Sequence, residues 1–157
     1  MRRAICIFAF GLILLGAATA ASAQSSNPII QGGVQGIELC PQFICDFAIF
    51  SGVFHGQLGA NPNALGIVTA AIKHGELPTE IGDYTDITDG GWELRTLTRR
   101  IRGLVRGGRI TYAGSNFFRI QILLDVGGGA GGLLAFDGIL NHNTLIPTFG
   151  GDLLQIP

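Results

Sequence analysis

From Phe43 onward, short apolar runs rich in β-branched and aromatic residues alternate with turns built from Gly, Asn, Asp and Pro. Runs of this kind, bounded by turn residues, indicate β-strands. The pattern predicts strands over residues 46–58, 65–74, 92–98, 101–105, 109–112, 117–126, 133–140 and 152–156. Because short connections make consecutive strands antiparallel neighbours, we predict an all-β fold: a single antiparallel β-barrel or sandwich of about eight strands in a mostly meander topology.

Residues 93–106 also fit a helix. Their apolar residues fall at helical spacing: Leu94, Leu97, Ile101, Leu104 and Val105. Thr96 and the internal Gly103 oppose a helix, so we favour two strands. A hairpin turn is then expected at Gly107-Gly108, since both central residues of such a turn need positive φ. A helix here would change the fold class to α+β.

The first 23 residues have the layout of a cleavable secretory signal peptide. Arg2 and Arg3 form a short basic start, residues 4–16 are an uncharged apolar run, and residues 21–23 are a small-residue cleavage site. The apolar run is shorter than the about 20 residues that a membrane-spanning helix needs. We therefore expect export, to the periplasm or the exterior of a bacterial cell.

Cleavage would leave 134 residues, the size of one domain. We divide them into a loose N-terminal lead-in, residues 24–42, with a short strand near residues 37–39, and a β-barrel or sandwich domain, residues 43–157. The remaining chain has 8 basic and 11 acidic residues, a formal net charge of −3. Since nucleic-acid-binding domains are normally basic, we expect no nucleic-acid partner, and we expect no membrane partner either.

Two cysteines, Cys40 and Cys45, would remain once Cys6 leaves with the signal peptide. In an oxidising compartment such a pair is expected to form a disulfide. The loop between them is short, so the bond would act as a local staple that contributes about 2 kcal/mol. A redox-active pair is the alternative, but redox motifs space their cysteines by two residues in a βαβ context.

The strongest charge pattern is an acidic stretch, residues 76–93, followed by a basic one, residues 95–109. The basic stretch contains six arginines: Arg95, Arg99, Arg100, Arg102, Arg106 and Arg109. One hypothesis is a basic surface for an anionic partner. The alternative is that neighbouring strands pair these opposite charges across the solvent face.

His74 and His142 have similar surroundings in the sequence. Each follows an apolar strand and precedes a proline by a few residues, as in IKHGELP and LNHNTLIP. We interpret them as polar groups at one rim of the barrel, where a ligand would bind. The alternative is that each caps a similar strand exit, and because no tight ligand pair such as His-x-x-x-His is present, we predict no metal.

Motifs for catalysis or for a cofactor are missing from the sequence. The run GGGAGG at residues 127–132 lacks the Gly-Lys-Ser/Thr ending of a phosphate loop. There is no Gly-x-Ser-x-Gly nucleophile elbow. We therefore name no catalytic residue and expect no cofactor.

One short stretch carries a resemblance to a known family. Gly128-Gly129-Ala130-Gly131, followed by Phe136-Asp137-Gly138, resembles the strand turn of secreted dirigent and allene-oxide-cyclase-like β-barrels. The resemblance implies a lipocalin-like barrel that holds an apolar ligand, and it carries no catalytic residue over. The chain also resembles exported bacterial β proteins of unknown role.

These observations favour an exported, non-enzymatic β-barrel protein that binds a small apolar ligand or acts structurally. An eight-stranded barrel is either packed solid or holds one small ligand. A small outer-membrane β-barrel is one alternative, since alternating strands would suit it. An isomerase- or hydrolase-type enzyme on a secreted barrel is the other, and a deep pocket with a buried carboxylate or histidine would favour it.

Overall fold

The chain forms a closed eight-stranded antiparallel barrel in which every strand pairs with the next and the last pairs with the first. The computed structural model describes residues 29–129 and 131–156. The strands are β1 (Ile30–Cys40), β2 (Ala48–Leu58), β3 (Asn61–His74), β4 (Tyr84–Arg95), β5 (Arg100–Gly114), β6 (Phe117–Asp125), β7 (Leu133–Asn141) and β8 (Thr148–Ile156). The all-β meander prediction is confirmed.

The predicted signal peptide, residues 1–23, lies outside the described residues. Within the described part of the chain, no helix has the length and apolar character needed to cross a membrane.

The meander gives the barrel two distinct ends. Loops 41–47, 75–83, 115–116 and 142–147 meet at one end, which we call the mouth. The turns at 59–60 and 96–99 and the Gly-rich loop 126–132 meet at the other, which we call the far end. In an antiparallel meander, the odd-numbered strands all run in the same direction and end at the same end of the barrel. Residues just beyond β1, β3 and β7 therefore lie together at the mouth.

The barrel interior is packed with apolar side chains. Along β6, Phe118, Ile120, Ile122 and Leu124 point inward and are buried, as the alternation of a strand requires. The cavity left inside has a volume of 40 Å³ and an apolar lining. Small-molecule sites usually measure about 300–1,000 Å³, so the barrel centre has no room for a ligand of that size.

The first strand is much longer than the sequence predicted. Residues 30–40 form β1, paired with both β2 and β8, where we predicted a loose lead-in as far as residue 42 with a short strand near residues 37–39. The inward positions of β1 alternate between apolar residues and glycines. At the glycine positions the backbone of the neighbouring strand β2 lies too close for a side chain. A Cβ atom at Gly36 would lie 2.4 Å from the Cα atom of Gly52. Because glycines take these inward positions, the sequence of β1 lacks the alternation of apolar and polar residues from which the other strands were predicted.

Residues 93–106, for which a helix was the alternative, form parts of two strands joined by a turn. Residues 93–95 end β4, residues 96–99 form the turn, with the Thr96 amide donating to the Arg99 carbonyl (2.8 Å), and β5 follows. The predicted hairpin turn at Gly107-Gly108 is wrong. β5 continues through both glycines with a bulge in its pairing to β6, and their positive φ angles, 143° and 159°, serve that irregularity.

Candidate functional site at the barrel mouth

A buried carboxylate and an imidazole face each other at the mouth. Glu38 takes an inward position near the end of β1, and its side chain is 3% exposed. His142 lies directly after β7, and its Nε2 atom is 3.0 Å from Glu38 Oε2. The Phe118 ring packs edge-on against the imidazole, with 5.2 Å between ring centres. The pair therefore lies at the boundary between the apolar interior and solvent.

Backbone hydrogen bonds fix both residues. The Glu38 amide donates to the Pro147 carbonyl and the His142 amide donates to the Asn116 carbonyl, each at 2.9 Å. Although Glu38 Oε2 and His142 Nε2 are close, neither buried atom has a well-aligned hydrogen bond within the described structure. Buried polar atoms are nearly always satisfied, and exceptions often mark functional sites.

The disulfide loop covers one side of this pair. Cys40 and Cys45 are bonded, with 6.0 Å between their Cα atoms, as the sequence predicted. Between them, Gln42 accepts a hydrogen bond from the His74 amide (2.8 Å) through Oε1 and donates one to the His74 carbonyl through Nε2. The loop is thus attached to the end of β3 as well as closed on itself.

His74 and His142, the two histidines proposed for the rim, line one cavity. We call it the mouth cavity; its volume is 290 Å³. It is lined by Glu38, Pro41, Gln42, Phe43, His74, Gly75, Glu76, Leu77, Leu140 and His142. His74 Nδ1 lies 2.7 Å from the Gly75 carbonyl oxygen, to which it donates. A ligand role for the two histidines stays a prediction.

Sequence reasoning missed Glu38, the most buried polar group of this cavity. A signal was present: Glu38 lies an even number of residues from Ile30 and Val34 along β1. Its side chain is therefore on the same face of the strand as these two inward apolar side chains. Once the whole of β1 is recognised as a strand, a carboxylate at position 38 is expected to face the barrel interior. We predicted only a short strand near residues 37–39, without the inward positions at Ile30 and Val34 that show which way Glu38 points.

A second hollow of 470 Å³ lies on the other side of the Glu38–His142 pair. Large exposed apolar side chains surround it at the end of β1, on the disulfide loop and on the β7–β8 loop: Leu39, Phe43, Ile44, Leu145 and Ile146. Leu145 is fully exposed. The approach to the pair is therefore mostly apolar.

The arginines of β4 and β5 are largely engaged with partners on the protein itself. Glu93 pairs with Arg100 (2.6 Å) and Arg95 (3.0 Å). Arg100 first, and Arg95 with it, holds the pKa of the Glu93 carboxyl below its ordinary value. Arg109 lies over the Tyr84 ring, 4.5 Å from its centre. This arrangement matches the cross-strand alternative, and an anionic partner stays a prediction.

A second buried carboxylate, Asp125, closes the far end of the barrel. It is paired with Arg106, and its Oδ1 atom accepts from the Leu104 amide at 2.7 Å. Its backbone carbonyl accepts from Trp92 Nε1, also at 2.7 Å. Because these groups hold Asp125 from several sides, we interpret it as a structural residue that joins β4, β5 and β6.

A hollow of 860 Å³ is an open groove on the outer wall. The groove exists because small residues such as Ala71 and Gly91 face outward there. Glu93, the carboxylate that lines it, is already paired with Arg100. No group of three or more His, Cys, Asp or Glu side chains positioned to hold a metal occurs among the described residues. The chemistry of the described structure is therefore concentrated at the mouth.

Comparison of the chain with models of protein families, with curated proteins and with solved structures gave no match.

Proposed function

We propose that this chain is an exported, non-enzymatic β-barrel protein that binds a small, mainly apolar molecule in the mouth cavity. One observation carries the proposal: the nearly inaccessible Glu38 carboxylate, with an oxygen that lacks an aligned hydrogen bond, borders a cavity of 290 Å³. Ligand sites combine apolar walls with a few polar groups that orient the ligand. Leu77, Leu140 and Phe43 supply such walls here.

The mouth is a better place for the ligand than the barrel centre. The central cavity has only 40 Å³ of space and a purely apolar lining. A ligand there would have to displace packed side chains, which costs free energy in an interior of crystal-like density. The mouth cavity has the larger volume and reaches solvent without such a rearrangement.

The test is calorimetric titration of the mature protein with benzyl alcohol, a small molecule with an apolar ring and one polar group. Leu77→Trp fills the mouth cavity and is expected to abolish the heat of binding. Leu97→Trp is the matched control, because Leu97 is fully exposed in the β4–β5 turn at the far end. Equal binding by wild type and Leu77→Trp would contradict the proposal.

The charge distribution on β6 bears on the outer-membrane alternative. A membrane barrel has an apolar outer wall and a polar interior. Here Ile120 and Ile122 point inward, while Arg119 pairs with Asp137 on the outer wall. This distribution supports an outer wall in contact with water.

The Glu38–His142 pair also favours a second candidate, a proton-transfer enzyme. An imidazole beside a carboxylate can act as a general base. The test is conversion of 3-cyclohexen-1-one to its conjugated isomer, followed by ultraviolet absorbance. A rate above buffer that His142→Gln removes would support this candidate, and a rate equal to buffer would contradict it.

A further inference from the structure

The geometry points to a ligand with a protonated amine on a small apolar body; this inference rests on the proposed binding function and names the class of molecule bound. It follows from the hydrogen-bonding roles of the polar side chains around the mouth cavity. Four of them are titratable: Glu38, Glu76, His74 and His142.

The tautomer of the His74 imidazole is set by its neighbour. A backbone carbonyl only accepts hydrogen bonds, so His74 Nδ1, 2.7 Å from the Gly75 oxygen, carries the proton of the neutral ring. The other nitrogen of that ring, His74 Nε2, is then an acceptor. His142 Nε2 lies 3.0 Å from Glu38 Oε2, but no aligned hydrogen bond joins the two atoms.

Acceptors are therefore present on three of the four titratable side chains that line the cavity. Two are carboxylates, Glu38 and Glu76, and the third is the imidazole of His74. No lysine or arginine is part of its lining in the described structure. Gln42, the remaining polar side chain, already uses both ends of its amide on the His74 backbone.

Glu38 is the reason why these acceptors form a site rather than a chance acidic cluster. Its side chain is 97% buried, and its Oε2 atom lacks an aligned hydrogen-bond partner. An ammonium group carries three donors and a positive charge, so it can satisfy that oxygen and still offer donors to other acceptors of the cavity. A neutral hydroxyl supplies one donor, and a carboxylate ligand supplies none.

The apolar surroundings define the rest of the ligand. Leu77, Leu140 and Phe43 line the mouth cavity, and its volume of 290 Å³ suits a single ring or a short alkyl chain. Hydrogen bonds to a charged donor are roughly twice as strong as neutral ones. The amine is therefore expected to bind about tenfold more tightly than a neutral ligand of the same shape.

The experiment compares three ligands of nearly one shape by calorimetry: benzylamine, benzyl alcohol and benzoate. We expect benzylamine to bind about tenfold more tightly than benzyl alcohol, and benzoate not to bind measurably. Glu38→Gln keeps the shape of the side chain and removes its charge. It is expected to lower the affinity for benzylamine about tenfold and to leave that for benzyl alcohol unchanged.

A second variant protects the test if Glu38→Gln does not fold. Glu76 is exposed, so Glu76→Gln leaves the barrel intact and is expected to weaken benzylamine binding by a few-fold. Glu80→Gln, an exposed carboxylate outside the cavity lining, is the control that should change nothing. Equal affinities for benzylamine and benzyl alcohol would overturn the amine inference and leave the proposed function standing. Failure of all three ligands to bind would overturn both.

Discussion

Glu38 and His142 lie 3.0 Å apart at the mouth, although one ends the first strand and the other follows the seventh. The start of β8 lies between them, and Glu38 is held there by its bond to the Pro147 carbonyl. The closed barrel is therefore what brings the pair together.

This pairing predicts strong coupling between the two residues. His142→Phe would leave the Glu38 carboxylate buried without this close partner and should lower the free energy of unfolding by about 1–3 kcal/mol. The double variant Glu38→Leu/His142→Phe removes both polar groups and should recover most of that loss. Urea unfolding of the single and double variants measures the coupling, and strictly additive losses would count against it.

The close contact of β1 and β2 predicts opposite outcomes for two glycines on one strand. At Gly36, an added Cβ would lie 2.1 Å from the Ser51 carbonyl oxygen, so Gly36→Ala should lower the free energy of unfolding by about 1–3 kcal/mol. At Gly33, nothing lies within 4 Å of an added Cβ, so Gly33→Ala should be neutral or slightly stabilising. Thermal unfolding separates the two, and equal effects would mean that the strands approach less closely than described.

The ion pair of Asp137 with Arg119 predicts a dependence of stability on pH. Arg119, with help from Gln121 and against some burial, lowers the pKa of Asp137. A carboxyl whose pKa falls on folding stabilises the fold above its unfolded pKa, about 4, and loses this effect as pH falls through the lower folded value. The pair is exposed, so Asp137→Asn should cost at most about 1 kcal/mol at pH 7.

That difference should shrink towards zero as pH drops below about 4. Urea unfolding of wild type and Asp137→Asn at a series of pH values measures it. A difference that grows on acidification would have the wrong sign for this pair.

The disulfide loop links local stability to the mouth cavity. Cys40→Ser/Cys45→Ser should lower the free energy of unfolding by about 2 kcal/mol, because the loop closed by the bond is short. The same variant should weaken benzyl alcohol binding, since Pro41, Gln42 and Phe43 all line the cavity from this loop. Unchanged affinity in the double variant would show that the hydrogen bonds of Gln42 to His74 hold the loop without the disulfide.

The sequence predicted the parts of the fold that rest on clear alternation. β6 and β7 lie within one residue of their predicted bounds, because Phe118, Ile120 and Ile122 alternate with polar residues between strong turns. Most of β1 was missed because its inward glycines remove the alternation. The prediction at Gly107-Gly108 was wrong because a bulge and a hairpin turn both use glycines with positive φ.

The same contrast applies to the site. His74 and His142 could be placed at one end of the barrel because every second strand of a meander ends at the same rim. Glu38 could not be added to them, since its inward direction depends on a strand that the glycines concealed. The distance between Glu38 and His142 depends on barrel closure through β8, which no local pattern specifies.

The most direct test of the account is a nuclear magnetic resonance titration of the isotope-labelled protein with benzyl alcohol. The account predicts that the resonances that shift most belong to the mouth cavity: His74, Leu77, Leu140 and His142. Shifts confined instead to the barrel centre, at Val34, Phe50 and Phe136, or no specific shifts at all, would contradict it.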